Sequence, residues 1–396
     1  MVPHGRCMDS DIVPETAEDV LEKARAVRDT DPPSAAELFR RAAGMGSVPA
    51  TASLGYMLMV GEGVRADPAE AERLLSIAAE SGDTSALCNL GFLLSESDPG
   101  RVVSYLERAA GMGSAKAMKN LGAMHYSGHG IPEDKAKAAE WYSKAADSGD
   151  ADSICVLASM CRNGDGVPVD KAKAASLYRR AADMGESDAQ YDLAFMLDAG
   201  EGIPADKEEA ERYFRLSADQ GDSDACLCMG GICFERGEYK EAEEYFLTAA
   251  LKGDVKAEYN IGLLYHGGYL GAADEAKAAE WFGSAADKGF VLAHTMLGAM
   301  AMDSGDAKEA EKRFRTAAEQ GEPTAMYNLG AMGLSGNAGL GFEEAVGWVA
   351  RAASAGYEPA YELLTRLNSQ RRRGALRGTL SPRCRVCRPG RARRVC

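Results

Sequence analysis

No stretch of the 396-residue chain approaches 18 uninterrupted apolar residues, and its opening, MVPHGRCMDSDIVPETAEDV, has no apolar signal core. Neither a membrane-spanning helix nor an export leader is therefore expected. Runs of alternating Val, Ile and Thr flanked by hairpin turns are also missing, which removes β-sandwiches and barrels from consideration. A disulfide framework is lacking too. The ten cysteines include Cys88, Cys155, Cys161, Cys226, Cys228 and Cys233, which do not pair off at one repeated spacing. Cys155 and Cys161, six apart on one predicted helix, face different sides of it. Buried free thiols in a reducing cytoplasm are the expectation.

What is present is a unit repeated in phase. The stretch Ser114 to Gly149, SAKAMKNLGAMHYSGHGIPEDKAKAAEWYSKAADSG, has recognisable copies before and after it. Ala117, Leu121 and Met124 recur at i, i+4 and i+7 and share one face of a first helix. Gly128-His129-Gly130-Ile131-Pro132 stops that helix. Ala138, Ala139, Trp141, Tyr142, Ala145 and Ala146 then mark a second, which runs out at Gly149. Helices of roughly 13 residues are about 20 Å long, and one such pair cannot bury its apolar faces without copies on either side.

The glycine that ends each second helix serves as a ruler: Gly46, Gly82, Gly113, Gly149, Gly185, Gly221, Gly253, Gly289, Gly321 and Gly356. The intervals are 36, 31, 36, 36, 36, 32, 36, 32 and 35 residues, so ten units fit, and the short intervals trim the loop between the helices, as at Glu235 to Tyr239. Loops that vary while helices persist predict an all-α solenoid of about ten helix pairs. Ala17 to Asp29 reads as an N-terminal capping helix and Tyr357 to Asn368 as a C-terminal one. The expected organisation is a disordered N-terminus at 1–16, a solenoid over 17–370, and a disordered basic tail at 371–396. That tail holds ten Arg and no acidic residue, so the net charge of −15 divides into −25 for the body and +10 for the tail.

The residues resemble the Sel-one-like repeats, a subclass of tetratricopeptide-like helical repeats. The pattern appears as Ala117, Leu121-Gly122, Gly128-His129-Gly130-Ile131, Lys137-Ala138, Trp141-Tyr142 and Ala145-Ala146-Asp147-Ser148-Gly149. It recurs around Gly61-Glu62-Gly63-Val64, Gly164-Asp165-Gly166-Val167 and Gly200-Glu201-Gly202-Ile203. Departures are the trimmed loops, Ala158 and Ala194 in place of the helix glycine, and the absence of the paired cysteines of some secreted members. The resemblance implies a right-handed superhelix of helix pairs serving as an adaptor or scaffold for other proteins.

Several motifs have plain structural readings. Gly-x-Gly loops mimic phosphate cradles, but a cradle follows a strand and occurs once, whereas these recur in phase and read as helix stops with positive φ. His125 and His129 stand at i, i+4, yet the flanking glycines end the helix there and no Glu lies between them. Cys384, Cys387 and Cys396 leave a zinc site one ligand short. No metal or cofactor is expected. Acidic clusters such as Glu208-Glu209 and Glu243-Glu244 fall on outer helix faces, so no catalytic constellation is expected either. Asn89, Asn120, Asn260 and Asn328 precede the repeat Leu-Gly or Ile-Gly, and their phase predicts a hydrogen bond to a neighbouring turn.

A second apolar stripe on the first helices carries the functional expectation. It contains Tyr56 and Met59, Phe92, Tyr126, Tyr191 and Phe195, Phe234, Tyr259 and Leu263, and Tyr327 and Leu334. In the resembled family this face lines the concave groove. Two readings fit: packing between repeats, or an aromatic groove that holds a peptide, with Arg162 and Asp198 fixing its polarity. The function expected is a non-catalytic protein-interaction scaffold whose partner offers an apolar segment with basic flanks. The alternative is binding of nucleic acid or an anionic surface through the Arg-rich tail, although no aromatic is interleaved there for stacking.

Overall fold

The computed structural model describes residues 15–95 and 98–372, and every regular element among them is helical. Packing divides the chain into two compact units, Met1–Ala189 with Ala199–Ala205, and Gln190–Asp198 with Asp206–Cys396. The first contains α1 (Ala17–Val27), α2 (Pro32–Gly44), α3 (Val48–Val60), α4 (Pro68–Glu80), α5 (Thr84–Leu93), α6 (Pro99–Gly111), α7 (Ala115–Ser127), α8 (Lys135–Asp147), α9 (Ala151–Asn163) and α10 (Lys171–Asp183). The second takes most of α11 (Ser187–Ala199), then α12 (Lys207–Asp219), α13 (Ser223–Arg236), α14 (Tyr239–Leu251), α15 (Val255–His266) and α16 (Glu275–Asp287). It continues with α17 (Val291–Ser304), α18 (Ala307–Glu319), α19 (Pro323–Ser335), α20 (Phe342–Ser354) and α21 (Glu358–Arg372). Within each unit, each helix packs on the next, giving the stacked helix pairs of an α/α solenoid. The twenty-one helices among the described residues make ten pairs, with α21 left to close the last.

Junctions between pairs follow from two residues. All ten ruler glycines have φ between 85° and 97°, a left-handed conformation that an L side chain resists. At the first of them Ser47 N–H reaches back to the Ala42 carbonyl and Gly46 N–H to that of Ala43, so the glycine closes a Schellman turn. The residue after the glycine is then the next N-cap: Ser47, Asp83, Ser114, Asp150, Asp222 and Asp254 each accept from the amide three residues on. Phe290, by contrast, caps α17 with no side-chain hydrogen bond.

The Gly-x-Gly loops do what the helix-stop reading predicts and also seal neighbouring pairs. The second glycine in each sits on the first residue of the preceding second helix. A Cβ on Gly63 would lie 2.3 Å from the Pro32 carbonyl carbon, on Gly130 2.6 Å from Pro99, on Gly166 2.3 Å from the Lys135 carbonyl and on Gly202 2.5 Å from Lys171. Inside each pair, the first-helix glycine makes room for one large residue of the second helix. Cβ positions at Gly230, Gly262 and Gly298 fall within 2.8 Å of the rings of Phe246, Phe282 and Phe314, which are fully buried.

Three boundaries differ from the sequence reading. Thr16 caps α1 in a capping box with Asp19, and Glu15 pairs with Arg41 at 2.6 Å and with Lys23, so folded chain begins before residue 17. The last helix continues to Arg372 rather than Asn368, carrying the body two residues past Gln370. The expected disorder at 1–14 and 373–396, with Cys384, Cys387 and Cys396, lies outside the described residues. Among the described cysteines, Cys88, Cys161, Cys226 and Cys233 are buried free thiols, while Cys155 and Cys228 are half-buried.

Candidate functional site

The stripe residues meet different fates because the loop or cap that follows each differs. In the first unit, Phe92 stands 70 % exposed. Tyr56 is half-buried beneath Arg28, whose guanidinium lies 5.3 Å from the ring centroid and forks onto Glu62 at 2.9 and 2.7 Å. The Tyr126 hydroxyl donates to Asp165 at 3.2 Å, and Lys135 bonds the same carboxylate at 2.9 Å while lying over the ring. Arg162 bonds Glu201 at 3.2 and 2.7 Å, and Lys171 approaches that carboxylate at 3.1 Å. The Arg162 hydrogen bonds hold the Glu201 carboxyl at about 2, far below the usual range.

One device underlies all three clusters. The middle residue of a Gly-x-Gly loop, Glu62, Asp165 or Glu201, grips a cation or hydroxyl of the preceding repeat. Arg162 is therefore spoken for inside the fold, and the expectation that it orients a ligand gives way to a structural role. A ligand would have to displace a two-pronged, largely buried ion pair.

In the second unit the central residues separate. Tyr259 and Leu263 are each 8 % exposed, which favours the packing reading over the groove at these two positions. The Tyr259 ring packs 5.5 Å from Phe282 and 5.0 Å from Phe290, the apolar residue standing at the N-cap. Burial pushes its hydroxyl up to about 12. Tyr327 lies tilted against Tyr357 at 5.3 Å, and Phe234 meets Tyr239 and Tyr269 edge-on at 5.4 and 5.0 Å. These rings serve as packing within and between repeats.

Tyr191, Phe195 and Asp198 remain presented. Tyr191 is half-buried with its ring 5.8 Å from Phe214, while Phe195, one turn on, is 45 % exposed. Burial, with the charges of Asp224, Asp192 and Asp222 around it, raises the Tyr191 hydroxyl well above its ordinary value. Asp198 occupies the same repeat position as Arg162, but the next pair has the trimmed loop and brings no Gly-x-Gly acid or partner to it. It is exposed, as is Asp224. The second unit thus offers an aromatic surface bordered by carboxylates.

Other polar groups lie outside the stripe. Glu258 is buried and accepts from Ser284 at 3.0 Å and Lys288 at 2.6 Å through one oxygen, while the other has no partner. Cys233, Glu238 and Glu241 bring a thiol and two carboxylates within 4.8 Å of one another, the one such group among the described residues. Burial and the two carboxylates push the Cys233 thiol up to about 11, so it keeps its proton at neutral pH and is no preformed ligand. His125 keeps Nδ1 buried without a partner and His129 is exposed. The predicted asparagine hydrogen bonds are not formed: Asn328 Oδ1 is buried and unpartnered, and Asn89, Asn120 and Asn260 bond no neighbouring turn. A shallow 520 Å³ groove in the first unit is lined by Ala139, Glu140, Lys144, Leu157, Val167 and Lys173, none of them stripe residues.

Helix pairs, glycine junctions and phased loops define an α/α repeat protein of the solenoid class. Residues 28–47, 48–83, 115–150, 151–186, 187–222, 223–254, 255–290 and 323–357 match the Sel1 repeat, and the chain belongs to that family. It is similar to c5321, a protective antigen of uropathogenic Escherichia coli strains displaying an SLR fold. The two share 32 % identity over 87 % of this chain and 78 % of that one, with a TM-score of 0.76. A 102-residue segment, 26 % of this chain, is 34 % identical to the ERAD-associated E3 ubiquitin-protein ligase component HRD3B of Arabidopsis thaliana. It spans 17 % of that relative's length. Sel1 repeat proteins are generally protein-interaction scaffolds, and their fold is typically non-catalytic. No helix among the described residues is long and apolar enough to cross a membrane.

Proposed function

We propose that this chain is a non-catalytic scaffold that holds a peptide segment against the Tyr191, Phe195 and Asp198 surface of its second unit. The segment has an apolar residue for Phe195 and Tyr191 and basic flanks for Asp198 and Asp224. One observation carries the reading. Among the stripe residues of this unit, Phe195 alone is strongly exposed, and it stands where a trimmed loop leaves a neighbouring carboxylate ungripped. An aromatic supplies apolar contact at little entropic cost, and surrounding carboxylates select a cationic partner and speed its approach. Since the framework is packed repeat on repeat, the mechanism is presentation of a rigid surface. Phe92 is a second exposed anchor belonging to the first unit. The free thiols favour a reducing compartment such as the cytoplasm.

The test is capture of partners from a lysate by the full chain beside Phe195→Ala and Asp198→Asn, both at exposed positions, once circular dichroism shows each variant folded. A protein retained by the native chain and lost with either variant supports the reading. Equal recovery on all three baits moves the interaction elsewhere and refutes it.

A further inference from the structure

The ligand chemistry that suits this surface is carried by the chain itself. Leu376, Leu380 and Val386 are set between Arg373, Arg377, Arg383, Arg385 and Arg388, so residues 373–396 interleave apolar residues with guanidinium groups and contain no carboxylate side chain. The rest of the chain is strongly acidic: Asp224, Asp192 and Asp222 act on the Tyr191 hydroxyl, and Asp198 stands on the same helix as Phe195. Charge and apolar spacing are complementary on the two sides.

Topology allows the contact. Odd-numbered helices of the second unit run in the same sense, because each is followed by one antiparallel partner. The C-terminal end of α21, from which residue 373 follows, is therefore on the same edge of the row as the C-terminal halves of α11 and α13, which carry Phe195, Asp198 and Phe234. Side chains link neighbours along the row, as Tyr259 with Phe290 and Tyr327 with Tyr357. Each step is thus on the order of 10 Å, and the five steps from α21 back to α11 come to about 50 Å. Twenty-four residues span up to about 80 Å when extended.

We propose that residues 373–396 of this chain occupy the Tyr191, Phe195 and Asp198 surface in cis, covering it until a partner of the same chemistry displaces them. This rests on the surface being a peptide site. A tether makes weak affinity sufficient: at an effective concentration on the order of 1 mM, a tail that binds in trans at about 100 μM is held most of the time and weakens a competitor about tenfold.

The probe is a fluorescein-labelled peptide of residues 373–396, titrated by anisotropy against the full chain and against a full-length variant with all eight arginines of 373–396 changed to Gln. The variant should bind the peptide about tenfold more tightly than the native chain. Adding Asp198→Asn and Asp224→Asn to it should remove that binding, as should high salt. Equal affinity for native and Arg-neutralised chains overturns the proposal. So does tight binding that survives both aspartate changes, which would put the tail elsewhere on the acidic surface, or a native chain that sediments as a tail-dependent dimer. If the peptide binds neither chain while Phe195→Ala still abolishes capture of an outside partner, the cover is refuted and the peptide site stands. If Phe195→Ala changes neither, both fall.

Discussion

Replacing Gly166 with Ala tests whether the second glycine of each Gly-x-Gly loop is required for its conformation alone or for the close approach of two repeats. Its φ is +72°, and an added Cβ would lie 2.3 Å from both the carbonyl carbon and oxygen of Lys135, a backbone group at the start of α8 that has no rotamer to yield. The left-handed conformation costs an alanine about 1 to 2 kcal/mol, and the overlap adds about 1 to 3 kcal/mol through displaced backbone. Gly149→Ala isolates the first contribution, since its φ is +86° and nothing lies within 4 Å of the added carbon. Urea unfolding followed by circular dichroism at 222 nm should place Gly149→Ala about 1 to 2 kcal/mol below the native chain, and Gly166→Ala lower still by about the same amount again. A change in slope with the midpoint would mean that neighbouring repeats have uncoupled. Equal destabilisation by the two substitutions refutes the close-approach argument.

Acid should weaken the first unit through Glu201. Its carboxyl titrates at about 2 rather than 4.5, chiefly through the Arg162 hydrogen bonds, so the contribution is complete above pH 4.5 and lost as pH falls toward 2. Thermal melts across that window should show a shallower acid slope in Glu201→Gln, and an unchanged slope would mean that the pair contributes nothing. Gly262→Ala drives a methyl to 2.6 Å from the Phe282 ring and should cost about 1 to 3 kcal/mol. Phe282→Leu should recover part of that loss in the double variant, and strict additivity in denaturant melts would contradict the packing account. Phe195→Ala should shift stability by no more than about 0.5 kcal/mol, as exposed sites do. Loss of both partner binding and fold in that variant would count against a surface role.

The helical framework was legible because each of its rules involves residues close in sequence. A glycine needing positive φ followed by Ser or Asp is a local signal, and it recurred often enough to set the phase of ten helix pairs. The site was less legible because exposure along the stripe is decided by residues one repeat away. Tyr259 and Phe195 belong to the same stripe, yet Tyr259 is buried because Phe290 replaces the usual polar cap and lays its ring against it. Phe195 is 45 % exposed, and the corresponding cap of the next pair is the polar Asp222. The fate of Arg162 likewise rests on a residue 39 positions later, Glu201, and the same separation joins Tyr126 to Asp165. That spacing is a usable signal: a cation or hydroxyl five residues after the repeat Leu is gripped when the next loop is Gly-acid-Gly. Where the next loop is trimmed, as after Asp198, the position is left to solvent. Lengthening the trimmed loop Glu235 to Tyr239 by inserting Gly-Lys-Gly should therefore bring a lysine to Asp198 and close the surface. Partner binding should be lost while the melting midpoint holds or rises, and binding that survives the insertion would mean that Asp198 and its neighbours are not where the partner sits.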